Sequence, residues 1–434
     1  MKFLYLIPTV FCFCSNFNLS AQAYTSYFTG NTQDVQTSPT GGICLMGGAI
    51  ENDEAMRWFL RRAAGGDVLV LRASGSDGYN DYFYSQLGIN VNSVESIVFN
   101  QASAAQDAYI QQKISQAEAI WFAGGNQANY VNYWRNTAID SLINIAIRDR
   151  NIVVGGTSAG MAIQGEFYFS AQNGTVASSQ ALQNPYSSLV TVDSARFLQN
   201  EILANTITDT HFDNPDRKGR LSAFLARIYN DYQQNARAIA CDEYTSVCID
   251  ENGIAAVYGD FPNSDDNAYF VQINCELSDA SPELCSPNQP LDWDRNGQAL
   301  RVCQLKGTNN GANTFNLSNW QVHQGGVWQN WAVDNGVFGE TTASAINCTP
   351  TRVDEYPNNK LSIFPNPSQD IFHINAHNQT IAQVFLYDAQ GNLLQVINNQ
   401  NDRLEINLSA YPPAVYVAKI HAATSVLVYK LVKI

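Results

Sequence analysis

The sequence predicts an α/β protein, a doubly wound and mostly parallel sheet with a nucleophile elbow, followed by a small C-terminal all-β sandwich. Three observations carry that prediction. Between residues 41 and 160, short apolar runs alternate with segments of helical spacing, the pattern of a sheet with helices on both faces. Asn151-Ile152-Val153-Val154-Gly155-Gly156-Thr157-Ser158-Ala159-Gly160 is an apolar β-branched run that breaks into a glycine-flanked serine and continues into small, helix-compatible residues. From Leu361 onward the composition changes to short alternating strands, about seven of them before the chain ends.

The elements follow in order. Gly42 to Ala49 reads as a strand, Asp53 to Ala64 as a helix and Asp67 to Arg72 as a buried strand, after which Ser74-Gly75-Ser76-Asp77-Gly78 makes a polar loop at a strand's carboxyl end, where ligands gather in open parallel sheets. Ser93 to Asn100 is the next strand, Ala104 to Gln116 a helix, and Ala119 to Phe122 a strand that ends in Ala123-Gly124-Gly125-Asn126-Gln127. Two glycines there expose backbone N–H groups, and the Asn and Gln add neutral donors and acceptors. Asn132 to Arg148 is predicted as one helix leading into the elbow strand.

At 434 residues the chain has room for two or three domains, and 45% hydrophobic with 15% charged residues describes an ordinary packed core. Its 24 Lys and Arg against 39 Asp and Glu leave a net charge of −15, which excludes non-specific binding to nucleic acid or anionic membrane and is compatible with a cationic substrate. Lys2, a mostly apolar stretch over 3–17 and Ala21-Gln22-Ala23 make residues 1–23 a signal peptide. No later stretch approaches the roughly 20 apolar residues a spanning helix needs. The expectation is therefore a secreted protein with no stable membrane span.

Nine cysteines include Cys12 and Cys14 in the leader, leaving Cys44, Cys241, Cys248, Cys275, Cys285, Cys303 and Cys348. An exported chain permits disulfides, with Cys241/Cys248 and Cys275/Cys285 as local candidates and an odd count that leaves at least one thiol unpaired. There is no C-x-x-C or His-rich spacing, so neither a metal site nor a cofactor is expected.

Gly156-Thr157-Ser158-Ala159-Gly160 fits the G-x-S-x-G nucleophile elbow, in which a strained turn lifts the serine hydroxyl above the sheet and the following helix aims its first N–H groups at the same spot. The serine needs a base. His211 follows the β-branched run Ile207-Thr208-Asp209-Thr210 at a strand's end, whereas His323 lies among Gln321, Gln324 and two glycines, so His211 is favoured. A carboxylate must fix the imidazole's tautomer, and Asp209, Asp242 and Glu243 are the candidates.

Together the elbow, Asp209-Thr210-His211-Phe212 with Arg217, Arg220 and Leu221 after it, and Ala240-Cys241-Asp242-Glu243-Tyr244-Thr245 resemble the cyanophycinase and aspartyl-dipeptidase family of serine peptidases. Gly124-Gly125-Asn126-Gln127 is similar to that family's substrate and oxyanion loop. The resemblance covers residues 40–345 and implies a flavodoxin-like fold, Ser158 as nucleophile, His211 as base and Glu243 as its orienting carboxylate. It further implies oxyanion donors at Ala159 and at Gly124 or Gly125, with Gln127, Arg220 and Asn126 holding substrate. The implied reaction is exo-cleavage of cyanophycin, a poly-aspartate backbone carrying arginine side chains, to β-Asp-Arg; small α- or β-aspartyl dipeptides, or an idle surface-binding protein of this fold, are the alternatives. Pro215, Asn126 and Cys241 depart from the family's usual residues.

Asn274 to Asn296, rich in Ser, Pro, Asp and Asn, is expected to be an inserted loop, and Trp320, Trp328 and Trp331 are expected to pack rather than stack on a ligand. Residues 346–360 read as a linker. In the segment 361–434, the Leu361-Ser362-Ile363-Phe364-Pro365-Asn366-Pro367 opening and the Tyr429-Lys430-Leu431-Val432-Lys433-Ile434 ending resemble the C-terminal sorting domain of the type IX secretion system, with Ala414 in place of a usual glycine. That resemblance implies the type IX machinery as a partner, export through the periplasm, and a final place outside the cell or on its surface. A homodimer is compatible with the sequence.

Overall fold

In the computed structural model, the described residues are 22–194, 197–348, 362–376, 380–388, 392–422 and 426–433. Most of the expected signal peptide and linker lies outside them. Contacts divide the chain into two units, residues 1–348 and 349–434.

The centre of the first unit is five parallel strands. In chain order these are Gly42–Met46 (β2), Asp67–Arg72 (β3), Ser93–Phe99 (β4), Ala119–Phe122 (β5) and Val153–Thr157 (β6), and Tyr24–Gly30 (β1) pairs antiparallel along β4 at one edge. Sequence alternation places the side chains: along β2, Ile43 and Leu45 enter the core on one face while Cys44 and Met46 enter the core on the other. The helix Asp53–Arg62 (α1) covers the second face with Ala55, Met56, Phe59 and Leu60, and starts where Asn52 accepts from the N–H groups of Glu54 and Ala55, both at 3.1 Å. After Gly78–Asp81 (α2), the helix Ala108–Gln116 (α3) packs on the opposite face.

The single helix expected over 132–148 is two, Gln127–Trp134 (α4) and Ala138–Asp149 (α5). Asn136 takes a left-handed φ of 58°, and Thr137 caps the second helix by accepting from the N–H of Ile139 at 3.2 Å. β1 also lies ahead of residue 40, where the sequence begins the domain. Its residues are only half-buried, so no apolar alternation announces it.

Beyond the elbow come Ala159–Ala162 (α6), a short ribbon of Tyr168–Phe169 (β7) with Val192–Asp193 (β8), Ser178–Gln183 (α7), Thr206–Asp209 (β9), Lys218–Tyr232 (α8) and Arg237–Cys241 (β10). Ser246–Ile249 (β11), Ile254–Phe261 (β12), Asn313–Asn316 and His323–Gln324 extend the central sheet antiparallel past β2. A second sheet holds six strands, with β9 and β10 running parallel at one edge and Asn267–Ile273, Leu300–Lys306, Gly326–Asp334 and Val337–Thr342 following antiparallel. The expected doubly wound parallel unit is therefore the core of a larger mixed sheet.

Trp320, Trp328 and Trp331 are 2%, 5% and 0% exposed, which makes them packing residues. Asn274 to Asn296 carries no long strand, and Cys275 in it is disulfide-bonded to Cys348 with Cα atoms 5.7 Å apart. The pairs Cys241/Cys248 and Cys275/Cys285 expected from sequence do not form. Cys241 faces the core on one side of the central sheet and Cys248 the core on the other, and Cys285 sits by α8, its carbonyl accepting from Asn230.

The second unit holds two antiparallel sheets, one of three strands over Ser362–Phe364, Ile371–Asn375 and Arg403–Asn407, and one of four over Leu393–Asn398, Ile381–Tyr387, Val415–Ala422 and Val426–Val432. Phe372, Ile374 and Ile406 from the first share a core with Val384, Leu386, Ala418 and Ile420 from the second, as in a sandwich.

Candidate active site

Ser158 sits at the turn between β6 and α6 with φ 51° and ψ −116°, a backbone state that costs a non-glycine residue about 1–3 kcal/mol. Neighbours hold it there. The N–H of Ser158 donates to Met46 O at 3.0 Å and its carbonyl accepts from Ala162 at 2.9 Å. Gly160 is required because a Cβ there would lie 1.9 Å from Phe122 O, inside the backbone of β5.

His211 and Glu243 arrive from the second sheet, just past the carboxyl ends of the parallel strands β9 and β10. His211 N donates to Gly47 O at 2.8 Å and Phe212 N to Cys241 O at 3.1 Å, so the histidine segment is sewn to both the β2 loop and β10. Tyr244 N donates to Gly48 O at 3.1 Å, and Glu243 N donates to Asp213 Oδ1 at 2.9 Å. The result is a continuous chain of hydrogen bonds: Ser158 Oγ to His211 Nε2 is 2.8 Å, and His211 Nδ1 to Glu243 Oε1 is 2.6 Å. The His211 and Glu243 side chains are 25% and 19% exposed, open enough to meet a substrate and closed enough to strengthen the pair. His211 and Tyr244 also hold left-handed φ values, 46° and 61°, so unusual backbone gathers at this point.

Gly124 backs directly onto the nucleophile: a Cβ placed on it would lie 3.7 Å from Ser158 Cβ. The loop is fixed from below by Tyr130, buried and stacked on Trp134, whose hydroxyl contacts Ala123 O at 2.8 Å and Gly124 O at 3.0 Å. Ala159 is the first residue of α6 and 2% exposed. Gln127 opens α4, half-buried, with Nε2 3.4 Å from Phe169 O. Asn126 is the cap of that helix and its Oδ1 accepts from Ala128 N at 3.0 Å, which commits its oxygen to the fold.

Arg220 does not stand where a substrate could reach it. It is 3% exposed and pairs through two nitrogens with Asp209, itself 2% exposed, with Nε to Oδ2 at 2.9 Å. This buried pair takes Asp209 out of contention as the histidine's partner and leaves Arg220 a structural role. One turn earlier, Arg217 is half-buried, donates from Nη1 to Thr210 O at 2.7 Å, and has its pKa drawn down to about 10, first by burial and then by Arg220. His323 lies apart, on its short strand against Trp328. Asp242, 2% exposed, accepts from Asn267 Nδ2 at 2.8 Å, while its Oδ1 has no partner, and burial raises its carboxyl pKa to about 7.

Sequence did not single out Gly48 or Tyr130. Gly48, at φ 131°, lies against the imidazole so closely that a Cβ would fall 2.3 Å from His211 Cε1. Its place in the Gly47-Gly48 pair after β2 was the available signal. A cavity of about 630 Å³ lined by Gly41, Gly42, Asn151 and Ile152 opens at the opposite, amino-terminal ends of β2 and β6, away from this chemistry.

Residues 70–256 match peptidase family S51. The cyanophycinase of Trichormus variabilis is 22% identical over 259 residues, 57% of this chain and 79% of the relative, and that of Synechococcus elongatus 25% identical over 230 residues, 50% and 66%. Among solved structures, a peptidase from an acI-B1 Actinobacterium aligns at TM-score 0.37 and 16% identity over 52% of this chain and 90% of its own. A putative peptidase E protein from Listeria monocytogenes aligns at TM-score 0.32 and 17% identity over 50% and 98%. Residues 362–434 match the secretion system C-terminal sorting domain, which marks the chain for type IX export to the cell surface or beyond. The S51 match and the two cyanophycinases support a peptidase-type hydrolase.

Proposed function

We propose that the protein is a secreted serine exopeptidase that hydrolyses cyanophycin to β-Asp-Arg dipeptides through an acyl-enzyme. The unbroken Ser158–His211–Glu243 hydrogen-bond chain at the carboxyl ends of parallel strands carries the reading. Ser158 Oγ attacks the scissile carbonyl carbon as His211 Nε2 takes its proton; Glu243 on Nδ1 holds the tautomer and stabilises the imidazolium. The tetrahedral oxyanion meets the N–H of Ala159 and one from Gly124 or Gly125. His211 then returns the proton to the departing amine, the acyl-enzyme remains, and water activated by the same histidine releases it.

For the substrate we assign Gln127 and Arg217 rather than Arg220, since Arg217 is only half-buried and reaches Thr210 O next to His211, whereas Arg220 is buried and spent on Asp209. A net charge of −15 suits an arginine-bearing polymer. The test is mass spectrometry of products after the purified protein meets insoluble cyanophycin, beside Ser158→Ala. Release of β-Asp-Arg by the wild type alone is expected. Silence on cyanophycin with turnover of β- or α-aspartyl dipeptides would replace the substrate and keep the mechanism.

A further inference from the structure

We infer that Cys44 and Cys248 close a second disulfide, across β2 and β11, when the protein is exported. The two residues are direct partners in the antiparallel β2–β11 ladder. The ladder's phase follows from Gly47 N donating to Thr245 O at 2.9 Å, because hydrogen-bonded and non-bonded pairs alternate along it. Gly47 stands opposite Thr245 one step beyond the paired residues and donates straight across, so Met46/Ser246 is a non-bonded pair, Leu45/Val247 a bonded one and Cys44/Cys248 non-bonded. Non-bonded pairs bring their Cα atoms to about 4.5 Å with side chains on the same face, within the Cα range a disulfide spans.

The sulfurs are already in contact at 3.7 Å, 0% and 1% exposed in the core that α1 covers. Bond formation has to bring them from there to about 2.05 Å. The sorting domain sends the chain through an oxidising compartment, where thiols at this distance are oxidised while the chain folds and their burial shields them from later reduction. The step is a thiol–disulfide exchange. One thiolate attacks a disulfide-bearing oxidoreductase, the second attacks the mixed disulfide, two S–H bonds become one S–S bond, and the oxidoreductase leaves as its dithiol with both electrons.

The position gives the bond a consequence. Four residues after Cys44 comes Gly48, which lies against His211, and five residues before Cys248 comes Glu243, which orients that histidine. Joining the two strands pins both from beneath.

The test uses the full chain recovered from its native export route and denatured with excess alkylating agent before any reductant. Digestion is expected to yield the Cys44 and Cys248 peptides as one cross-linked species, and the same protein made in a reducing cytoplasm to yield both alkylated. Alkylation of Cys44 and Cys248 in the exported protein overturns the inference. As a second readout, Cys44→Ala/Cys248→Ala is expected to lower the melting temperature of exported protein by several degrees and that of cytoplasm-made protein by less. Equal shifts in both preparations contradict it.

Discussion

Asp242 shows how much a single residue beside the triad can reveal. Its carboxyl is buried with one oxygen unpartnered, and burial lifts its pKa to about 7. Because the folded protein holds this proton more tightly than the unfolded chain, the folded state binds more protons between the ordinary carboxylate range and about pH 7. Stability must therefore fall as pH rises through that window. In Asp242→Asn that fall is expected to shrink, so the melting temperature at pH 8 should approach the value at pH 5 more closely than in the wild type. An unchanged pH profile in thermal melts would deny the buried charge any role. The same scale shows what sequence conveys about a site. Ser158 and His211 stood out because each follows a strand within a recognisable motif, whereas Glu243 was one of three candidate carboxylates with Asp209 and Asp242, and only the family resemblance singled it out. Arg217 and Arg220 are three apart at the start of one helix, and only packing tells which turns inward to Asp209.

Elements locate the chemistry through their ends. The glycine pair after β2 has to let the imidazole approach, and a side chain at Gly48 would overlap its ring. Gly48→Ala is expected to cut kcat/KM by about 10²-fold, the typical cost of displacing a catalytic group by an ångström, while circular dichroism keeps the native spectrum. Activity within twofold of wild type would show that the imidazole has room to move. Regular strands such as Asp67–Arg72 and Ala119–Phe122 were legible to the residue, since buried β-branched and aromatic runs bounded by polar turns have few other readings. The break at Asn136-Thr137 was not, because helical periodicity runs on through a cap that differs only in backbone angle. Nor was β1, whose half-buried residues carry no alternation.

At the scale of the whole molecule, the parallel centre was visible and its antiparallel extensions were not. Alternating strands and helices announce a βαβ core, but which distant strand joins which edge depends on pairings of long sequence separation, such as β2 with β11. The sorting segment forms a unit with its own apolar core, centred on Phe372, Leu386 and Ile420. A chain ended after Cys348 is accordingly expected to keep kcat within about twofold of the full chain and to stay inside the cell. This is checked by assay of both purified proteins and by fractionation. Loss of turnover in the soluble truncated protein would mean that the tail contributes to the site.

The central claim is that Ser158 is a nucleophile driven by His211 and Glu243. The most direct measurement is covalent labelling by a serine-directed phosphonate, with the adduct mapped by mass spectrometry in the wild type, His211→Ala and Glu243→Gln. The expected result is one adduct, on Ser158, forming about 10⁴-fold more slowly in both variants. An adduct on another residue, or labelling of Ser158 that is indifferent to His211, would contradict the account.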